Sequence, residues 1–316
     1  MAPSLLTFAF CTYNRAARLP ALVAAMRAQR CPIPFELLAV NNNSKDNTLE
    51  VLAKLASEPG VPLRYVTEPR QGIVSARNRA LEEGLSADIF VFIDDDELPE
   101  PGLLDAAFQS IAVDGAHCAG GRVMVDFEGR RRPDWLDDEL LGFLAAVDYG
   151  PLPFWIKDDA TPVWTANIAY DMHVFRREPG LRFDRRFDRT GTPIGGGEDA
   201  AMFREFLERG LRIRYQPGMA TRHFVEDFRL KRRYFLELHH LAGIRRGQYQ
   251  LPDFSRRIFG FPPFLLGQLL RQLALTGQHA IARKPGLIRQ AMNAAYALGM
   301  IRGYRRRGSS QSTANS

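Results

Sequence analysis

The sequence has few cysteines and no long apolar run. Its 316 residues include three cysteines, at positions 11, 31 and 118, and their number and spacing fit neither a disulfide framework nor a cysteine metal site. No stretch of about 18 residues is free of charged and polar breaks, so no spanning helix is predicted. The first residues lack the basic and apolar regions of a signal peptide. We therefore expect a protein of a reducing, cytoplasmic compartment.

Acidic residues are scarce in the last third of the chain. Residues 227–316 contain 16 Lys and Arg against 3 Asp and Glu, a net charge of +13. The whole chain carries +6, which leaves −7 for residues 1–226. A segment this basic indicates an acidic partner, such as phospholipid, nucleic acid or a phosphorylated substrate, unless it is only a solvated surface.

Three consecutive aspartates end an apolar run. Ile89–Ile93 has the length and composition of a buried strand, and Asp94, Asp95 and Asp96 follow it directly. Adjacent carboxylates are costly inside a core, so they must emerge at the carboxyl end of the strand, where open α/β sheets bind ligands. Their mutual repulsion would be relieved by a divalent cation, and oxygen ligands suit Mn²⁺ or Mg²⁺. The motif therefore predicts a metal and diphosphate site.

Strands and amphipathic helices alternate through the first half of the chain. This pattern predicts an α/β fold with a mainly parallel sheet, helices on both faces and right-handed crossovers. Later in the chain the pattern is weaker. The predicted strands cover 5–10, 35–40, 63–67, 89–93, 117–126, 163–170 and 211–215, and the predicted helices cover 15–30, 46–56, 74–83, 100–111 and 198–209.

Polar residues also follow the other three early strands. Thr12, Asn14 and Arg15 follow the first, Asn41 the second, and Arg77 lies just after the third. Free amides, asparagine side chains and arginine suit a nucleotide. Each cluster alone is also typical of a helix cap, a turn or a surface arginine. Because all lie at the carboxyl edge of one predicted sheet, together they indicate a nucleotide-shaped site.

A second acidic motif opens a later helix. Glu198 and Asp199 follow three glycines, 195–197, which allow close approach of a ligand to the backbone. Carboxylates in a first helical turn are typical of capping, but one held there is also a candidate general base. His223, after a short predicted strand and the loop 216–218, is either structural or a further metal ligand.

Taken in order, these motifs resemble glycosyltransferase family 2, over residues 5 to about 245. The similar segments are Cys11–Arg15, Glu36–Asp46, Glu68–Asn78, the aspartates 94–96 that match an Asp-X-Asp motif, and the pair 198–199. The resemblance implies the GT-A fold, a Rossmann-like mixed and mainly parallel sheet. It also implies an inverting transfer from a nucleoside-diphosphate sugar, with UDP-sugars as the first candidates.

The resemblance also implies residue roles. The implied donor-binding residues are Thr12, Asn14, Arg15, Asn41, Arg77, Asp94 and Asp95; the implied metal ligands are Asp96 and His223; the implied catalytic residues are Asp199, as base, and Glu198. Two positions depart from the family pattern, since Asn41 replaces a frequent aspartate and Thr165 replaces a glycine on the acceptor side. All these roles require the two acidic motifs to lie at one site.

The basic C-terminal segment is predicted to form amphipathic helices. Residues 259–274 and 286–307 mix arginine with Leu, Ile, Met and Tyr, so they either lie in a membrane interface or pack on the catalytic domain. Nucleic acid is not expected, because aromatics do not interleave with the basic residues. The predicted domains are a GT-A domain, 1–245, with a nucleotide-sugar half, 1–115, and an acceptor half, 116–245; a basic helical extension, 246–307; and a disordered tail, 308–316.

The sequence therefore predicts a metal-dependent glycosyltransferase, with a saccharide or lipid-linked acceptor, in cell-surface polysaccharide or glycolipid assembly. We expect it to be peripheral on the inner face of the cell membrane. A sugar nucleotidyltransferase is the alternative enzyme, although its usual glycine-rich loop with Arg or Lys is absent after the first strand. A catalytically inactive, membrane-associated scaffold is the non-enzymatic alternative.

Overall fold

The computed structural model of this protein describes residues 3–188 and 196–312, with side chains through Arg307. These residues form two compact units. The first comprises the described residues of Met1–Arg130 and Leu144–Val225, and the second those of Arg131–Phe143 and Glu226–Ser316. The predicted division after residue 245 falls inside the second unit.

The first unit is built on one sheet, with strand order β3-β2-β1-β4-β8-β6-β9-β5 and β7 paired to β9. Parallel pairs join β1 to β2 and β4, β2 to β3, and β6 to β9, whereas β8, β5 and β7 pair antiparallel. The predicted mixed, mainly parallel sheet is confirmed. The described strands are β1 Leu6–Thr12, β2 Phe35–Asn41, β3 Leu63–Thr67, β4 Ile89–Ile93, β5 Glu97–Pro99, β6 Cys118–Asp126, β7 Phe154–Ile156, β8 Asn167–Asp171 and β9 Ile213–Phe224.

Helices cover both faces of this sheet. Successive side chains of β1 point to opposite faces, and both are buried: Phe8 lies in one core cluster and Ala9 in the other. The helices α1, α2 and α4 pack on the Phe8 side, and α3, α5 and α6 on the Ala9 side. The described α-helices are α1 Leu19–Arg27, α2 Thr48–Ser57, α3 Ile73–Glu83, α4 Leu103–Phe108, α5 Met172–Arg177, α6 Glu198–Glu208, α7 Arg232–Arg245, α8 Pro263–Ile281 and α9 Leu287–Ser312.

The first helix begins later than predicted, because polar residues before it bind the neighbouring turn. The helix predicted from residue 15 begins at Leu19. Asn14, at a φ of 53°, accepts a hydrogen bond from the backbone N–H of Lys45, at 2.7 Å, and the N–H of Arg15 donates to the Thr48 hydroxyl. These contacts join the turns after β1 and β2 at the edge where the site was predicted.

The strand β9 is longer than predicted. Residues 216–218 were interpreted as a loop, but they lie within β9, which runs from Ile213 to Phe224. An irregularity in its parallel pairing with β6 absorbs them. His223 is therefore a strand residue, paired in register with Glu97 of the short strand β5, which the sequence pattern did not predict.

The second unit contains α7, α8 and α9. Glycines let α9 lie directly against α7: a Cβ atom on Gly243 would lie 2.1 Å from the Tyr296 carbonyl oxygen, and one on Gly299 would lie 2.1 Å from that of His240. The helix α9 reaches Ser312 and thus enters the tail predicted to be disordered, because its last turns extend a helix anchored by buried Tyr304. Residues 313–316 of that tail lie outside the described residues. Of the described helices, none combines the length and apolar character needed to cross a bilayer.

Candidate active site

The aspartate trio lies in the turn after β4, at the carboxyl end of the strand, as its sequence predicts. Burial raises the pKa of Asp95 to about 7; the charge of Asp96 adds to this, and Arg15 and the Thr12 hydroxyl oppose it. Thr12 and Arg15, from the end of β1, are therefore neighbours of the trio. The site concentrates negative charge where a cation would be stabilised.

Asp96 faces His223. The His223 Nδ1 atom lies 3.3 Å from Asp96 Oδ1 and 3.6 Å from Glu97 Oε1. Both His223 and Glu97 are buried. The two predicted metal ligands are thus adjacent, although the described residues contain no complete group of three or more His, Cys, Asp or Glu side chains able to hold a metal ion.

Arg77, from α3, joins the two acidic motifs. Its Nη2 atom lies 3.0 Å from Asp94 Oδ1, and its Nη1 atom lies 3.0 Å from Glu198 Oε1 and 2.6 Å from Asp199 Oδ1. Its side chain is 3% exposed. Burial lowers the pKa of Arg77, but the charges of Asp199, Asp94 and Glu198 outweigh this and raise it above its ordinary value. Residues about 100 positions apart therefore meet at one buried cation.

The neighbours of Arg77 in sequence fix α3 in place. Asn78 exchanges two hydrogen bonds with the backbone of Phe183, at 2.8 and 2.9 Å. Asp188 accepts from the Val74 N–H, at 3.2 Å, in the first turn of the helix. Neither anchor was predicted, because each partner is more than 100 residues away in the chain.

Asp199 lies in the first turn of α6, with one carboxylate oxygen anchored. Its Oδ1 accepts from Arg77 and from the Thr165 hydroxyl, whereas Oδ2 makes no hydrogen bond to the residues that the structure describes, and the side chain is 24% exposed. Apolar residues, including Met202 and Phe203, line the cavity beside it. Burial raises the pKa of Asp199 to about 6; Arg77 and Thr165 lower it, and Glu198 raises it.

Glycines precede the first turn of α6, which contains Asp199, and they allow the backbone conformation at that point. Gly196 and Gly197 have φ angles of 136° and 114°, which strain other residues. Gly195, the first glycine of the predicted loop, lies outside the described residues. Glu198 is fully buried against Arg77, so it offers no surface to a substrate. The sequence identified Thr165 only as a departure from the family pattern; its contact with Asp199 was not predicted.

The predicted nucleoside-side residues lie beside one another on adjacent strands. Thr12 and Asn41 are direct partners in the parallel register of β1 and β2. Asn41 also shapes its own turn, since its Oδ1 accepts from the Ser44 N–H at 3.1 Å and its Nδ2 donates to Thr67 at 3.3 Å. Asn41 therefore forms the turn, one of the two roles that the sequence left open, and its role in donor binding stays a prediction.

Comparisons with known proteins identify the family of this chain. The family model described as "Glycosyl transferase family 2" matches residues 7–211. A curated relative, Glycosyltransferase AglE of Haloferax volcanii, is 29% identical over 112 residues, which cover 35% of this chain and 36% of that protein. The match therefore spans about a third of that relative's length.

Two solved structures share the fold. The mannosyltransferase PcManGT from Pyrobaculum calidifontis, in complex with GDP-Man and Mn²⁺, has a TM-score of 0.61 at 17% identity, covering 96% of this chain and 87% of that one. S. aureus TarS 1–349, in complex with UDP-GlcNAc, has a TM-score of 0.56 at 15% identity, covering 96% and 92%. At such identities the likeness shows the fold alone.

Proposed function

Because this chain belongs to glycosyl transferase family 2, we propose that it transfers a sugar from a nucleoside-diphosphate sugar to an acceptor hydroxyl with inversion at the anomeric carbon. One observation carries the proposal. Asp199 is held through Oδ1, its Oδ2 makes no hydrogen bond to the described residues, and it shares Arg77 with Asp94 of the aspartate trio. The proposed general base and the proposed diphosphate site therefore share one buried cation.

In the proposed reaction, one bond to the anomeric carbon forms as another breaks. The Asp199 Oδ2 atom takes the proton of the acceptor hydroxyl while the hydroxyl oxygen attacks the anomeric carbon. The bond from that carbon to the diphosphate oxygen breaks, and the diphosphate leaves with the electron pair. Attack on the face opposite the leaving group inverts the anomeric centre. Arg77 and Thr165 orient the base throughout.

A divalent cation fits the described residues. Asp96 and His223 would hold it, since they offer an adjacent carboxylate and imidazole. Mg²⁺ and Mn²⁺ at phosphate sites are commonly held by one or two protein ligands together with phosphate oxygens, so an incomplete protein cluster is expected. When bound, the metal would supply positive charge to the leaving diphosphate.

The geometry favours positioning roles for Arg77 and Glu198 over the donor-binding and catalytic roles that the resemblance implies. A direct contact of Arg77 with the donor would require one of its three ion pairs to break, since its side chain is buried. We propose that Arg77 positions Asp199, and that Glu198 in turn holds Arg77. Donor contacts are assigned to Thr12, Asn14, Arg15, Asn41, Asp94 and Asp95.

Donor binding is the first test. A saturating nucleotide-sugar with Mn²⁺ is expected to raise Tm by roughly 5–10 °C, because a ligand at 100 times its Kd stabilises by about 2.7 kcal/mol. A thermal-shift panel of UDP- and GDP-sugars measures this, with Asp96→Asn as the variant that loses the metal-dependent part. A panel with no shift for any donor would contradict the assignment. Pyrophosphate release from a nucleoside triphosphate would instead favour the nucleotidyltransferase.

Thr165→Val tests how the base is held. Asp199 must be ionised to accept a proton, so activity is expected to be half-maximal near pH 6, to level off about one pH unit above it and to fall below it. The Thr165 hydrogen bond lowers the pKa of Asp199, so its loss moves the acid limb of kcat/KM to higher pH. We expect roughly tenfold slower transfer at neutral pH, since a hydrogen bond to a charged group contributes about 1.5–3 kcal/mol. Thr165→Ser, which keeps the hydroxyl, is the control; an unchanged acid limb in Thr165→Val would refute the role.

We further propose that the enzyme is peripheral on the inner face of the cell membrane and acts in cell-surface polysaccharide or glycolipid assembly, on a saccharide or lipid-linked acceptor. The support is the net charge of +13 over residues 227–316. Together with the amphipathic pattern of this segment, the charge suits a surface of anionic lipid.

A further inference from the structure

The helix α8 has an apolar face that no described residue covers. Leu266, Leu270, Leu273 and Ile281 recur at helical spacing on one side and are between 40% and 88% exposed. We call these four residues the α8 stripe. Soluble helices normally bury such a row, so the stripe indicates an interaction surface.

The orientation of the stripe is fixed by the other side of α8. Leu265 is buried in a cluster with Ala297 and Met300 of α9. The Gln290 amide of α9 donates to the Gln272 side chain of α8 at 2.7 Å. Because one side of α8 is held on α9, the stripe cannot rotate inward without breaking these contacts.

Positive charge brackets the stripe and outweighs the negative charge near it, although Asp253 pairs with Arg257 at 3.3 Å. Residues 254–316 contain ten Lys and Arg and no Asp or Glu. Arg256 and Arg257 precede α8 and Arg283 and Lys284 follow it, all exposed. The partner must therefore offer both an apolar phase and negative charge.

We propose that the α8 stripe docks on an anionic lipid bilayer, with its leucines at the acyl boundary and the flanking cations on headgroup phosphates. This inference rests on the proposed membrane location and names the surface that produces it. A second copy of this chain would bring two segments of charge +10 together and is disfavoured by repulsion. A bilayer containing anionic lipid meets both requirements.

Point variants of the full chain test the proposal better than removal of residues 259–316, because α9 lies within that segment and is packed on α7. The experiment is co-sedimentation with vesicles of phosphatidylcholine, with and without phosphatidylglycerol. We expect Leu270→Ser/Leu273→Ser to weaken binding to the anionic vesicles on the order of 100-fold. Arg283→Gln/Lys284→Gln should weaken it by roughly fivefold for each charge removed.

The matched control is Leu49→Ser/Leu152→Ser, which changes two leucines that are also exposed but lie outside α8. It should bind vesicles like the wild type. Leu270→Trp gives a second readout, since its fluorescence should shift to shorter wavelength on the anionic vesicles.

Three results would overturn the proposal. The Leu270→Ser/Leu273→Ser variant could bind vesicles as tightly as the wild type, or the wild type could bind equally well to vesicles with and without phosphatidylglycerol. Light scattering could also show that the wild type is a dimer that these two substitutions dissociate. Donor-induced thermal shifts should be the same in wild type and stripe variants. If the stripe variants lose vesicle binding but keep the donor-induced thermal shift, the loss reports on the stripe alone. If the wild type binds vesicles but shows no donor-induced thermal shift, the catalytic proposal fails and the stripe proposal stands.

Discussion

Asp199→Asn is expected to lower kcat by roughly 10²–10⁴, the usual contribution of a general base, while donor affinity stays near that of the wild type. The amide keeps the size of the side chain, but it cannot take the acceptor proton. Its Oδ1 can still accept from Arg77, so the fold should persist. Sugar transfer followed by release of nucleoside diphosphate measures the rate, and the donor-induced thermal shift measures binding.

The control for this substitution is Glu208→Gln, which makes the same chemical change on an exposed carboxylate of the same helix. It should leave both kcat and the thermal shift unchanged. Turnover of Asp199→Asn within about twofold of the wild type would remove Asp199 from the assigned role, since loss of a general base costs far more.

Arg77→Met is expected to destabilise the protein by about 3–5 kcal/mol, because removing one partner of a buried ion pair leaves uncompensated charge. Here one cation serves Asp94, Asp199 and the fully buried Glu198. For a unit of this size the fall in Tm is roughly 10 °C. Thermal unfolding followed by circular dichroism measures it.

The pH dependence of stability and a matched control distinguish the loss of the Arg77 ion pairs from an ordinary packing defect. Without Arg77 the folded-state pKa values of these carboxyls rise, so the deficit should be largest near neutral pH and shrink as acid protonates them. Arg79→Met, two residues along α3 at a half-exposed pair with Glu83, should cost within about 1 kcal/mol. A Tm of Arg77→Met equal to that of Arg79→Met would contradict the central role of Arg77.

The strand-end residues were predictable because their signal is local. An apolar run followed by Asp94, Asp95 and Asp96 can only expose its carboxylates at a strand end, and the structure places them there. The parallel core of the sheet follows from the alternating pattern. The antiparallel strands β5 and β7 were missed because each has three residues, too few for a periodic signal.

The contacts of Arg77 and Thr165 could not be predicted from the sequence. Alone in the sequence, Arg77 resembles either a surface residue or a phosphate ligand, because its partners Glu198 and Asp199 are 121 and 122 positions away. Thr165 was notable only for what it replaces. Its role depends on a contact made by tertiary packing. Local sequence patterns therefore predict which residue types form the site, whereas the contacts among these residues are visible only in the folded structure.

The most direct test of the proposed mechanism is a crystal structure of Asp199→Asn with a nucleotide-sugar and Mn²⁺, with the metal located by anomalous scattering. The proposed mechanism predicts Mn²⁺ bound by Asp96, His223 and the diphosphate, and an anomeric carbon whose open face is turned toward residue 199. A donor bound away from the aspartate trio, or residue 199 on the same face as the leaving diphosphate, would contradict it.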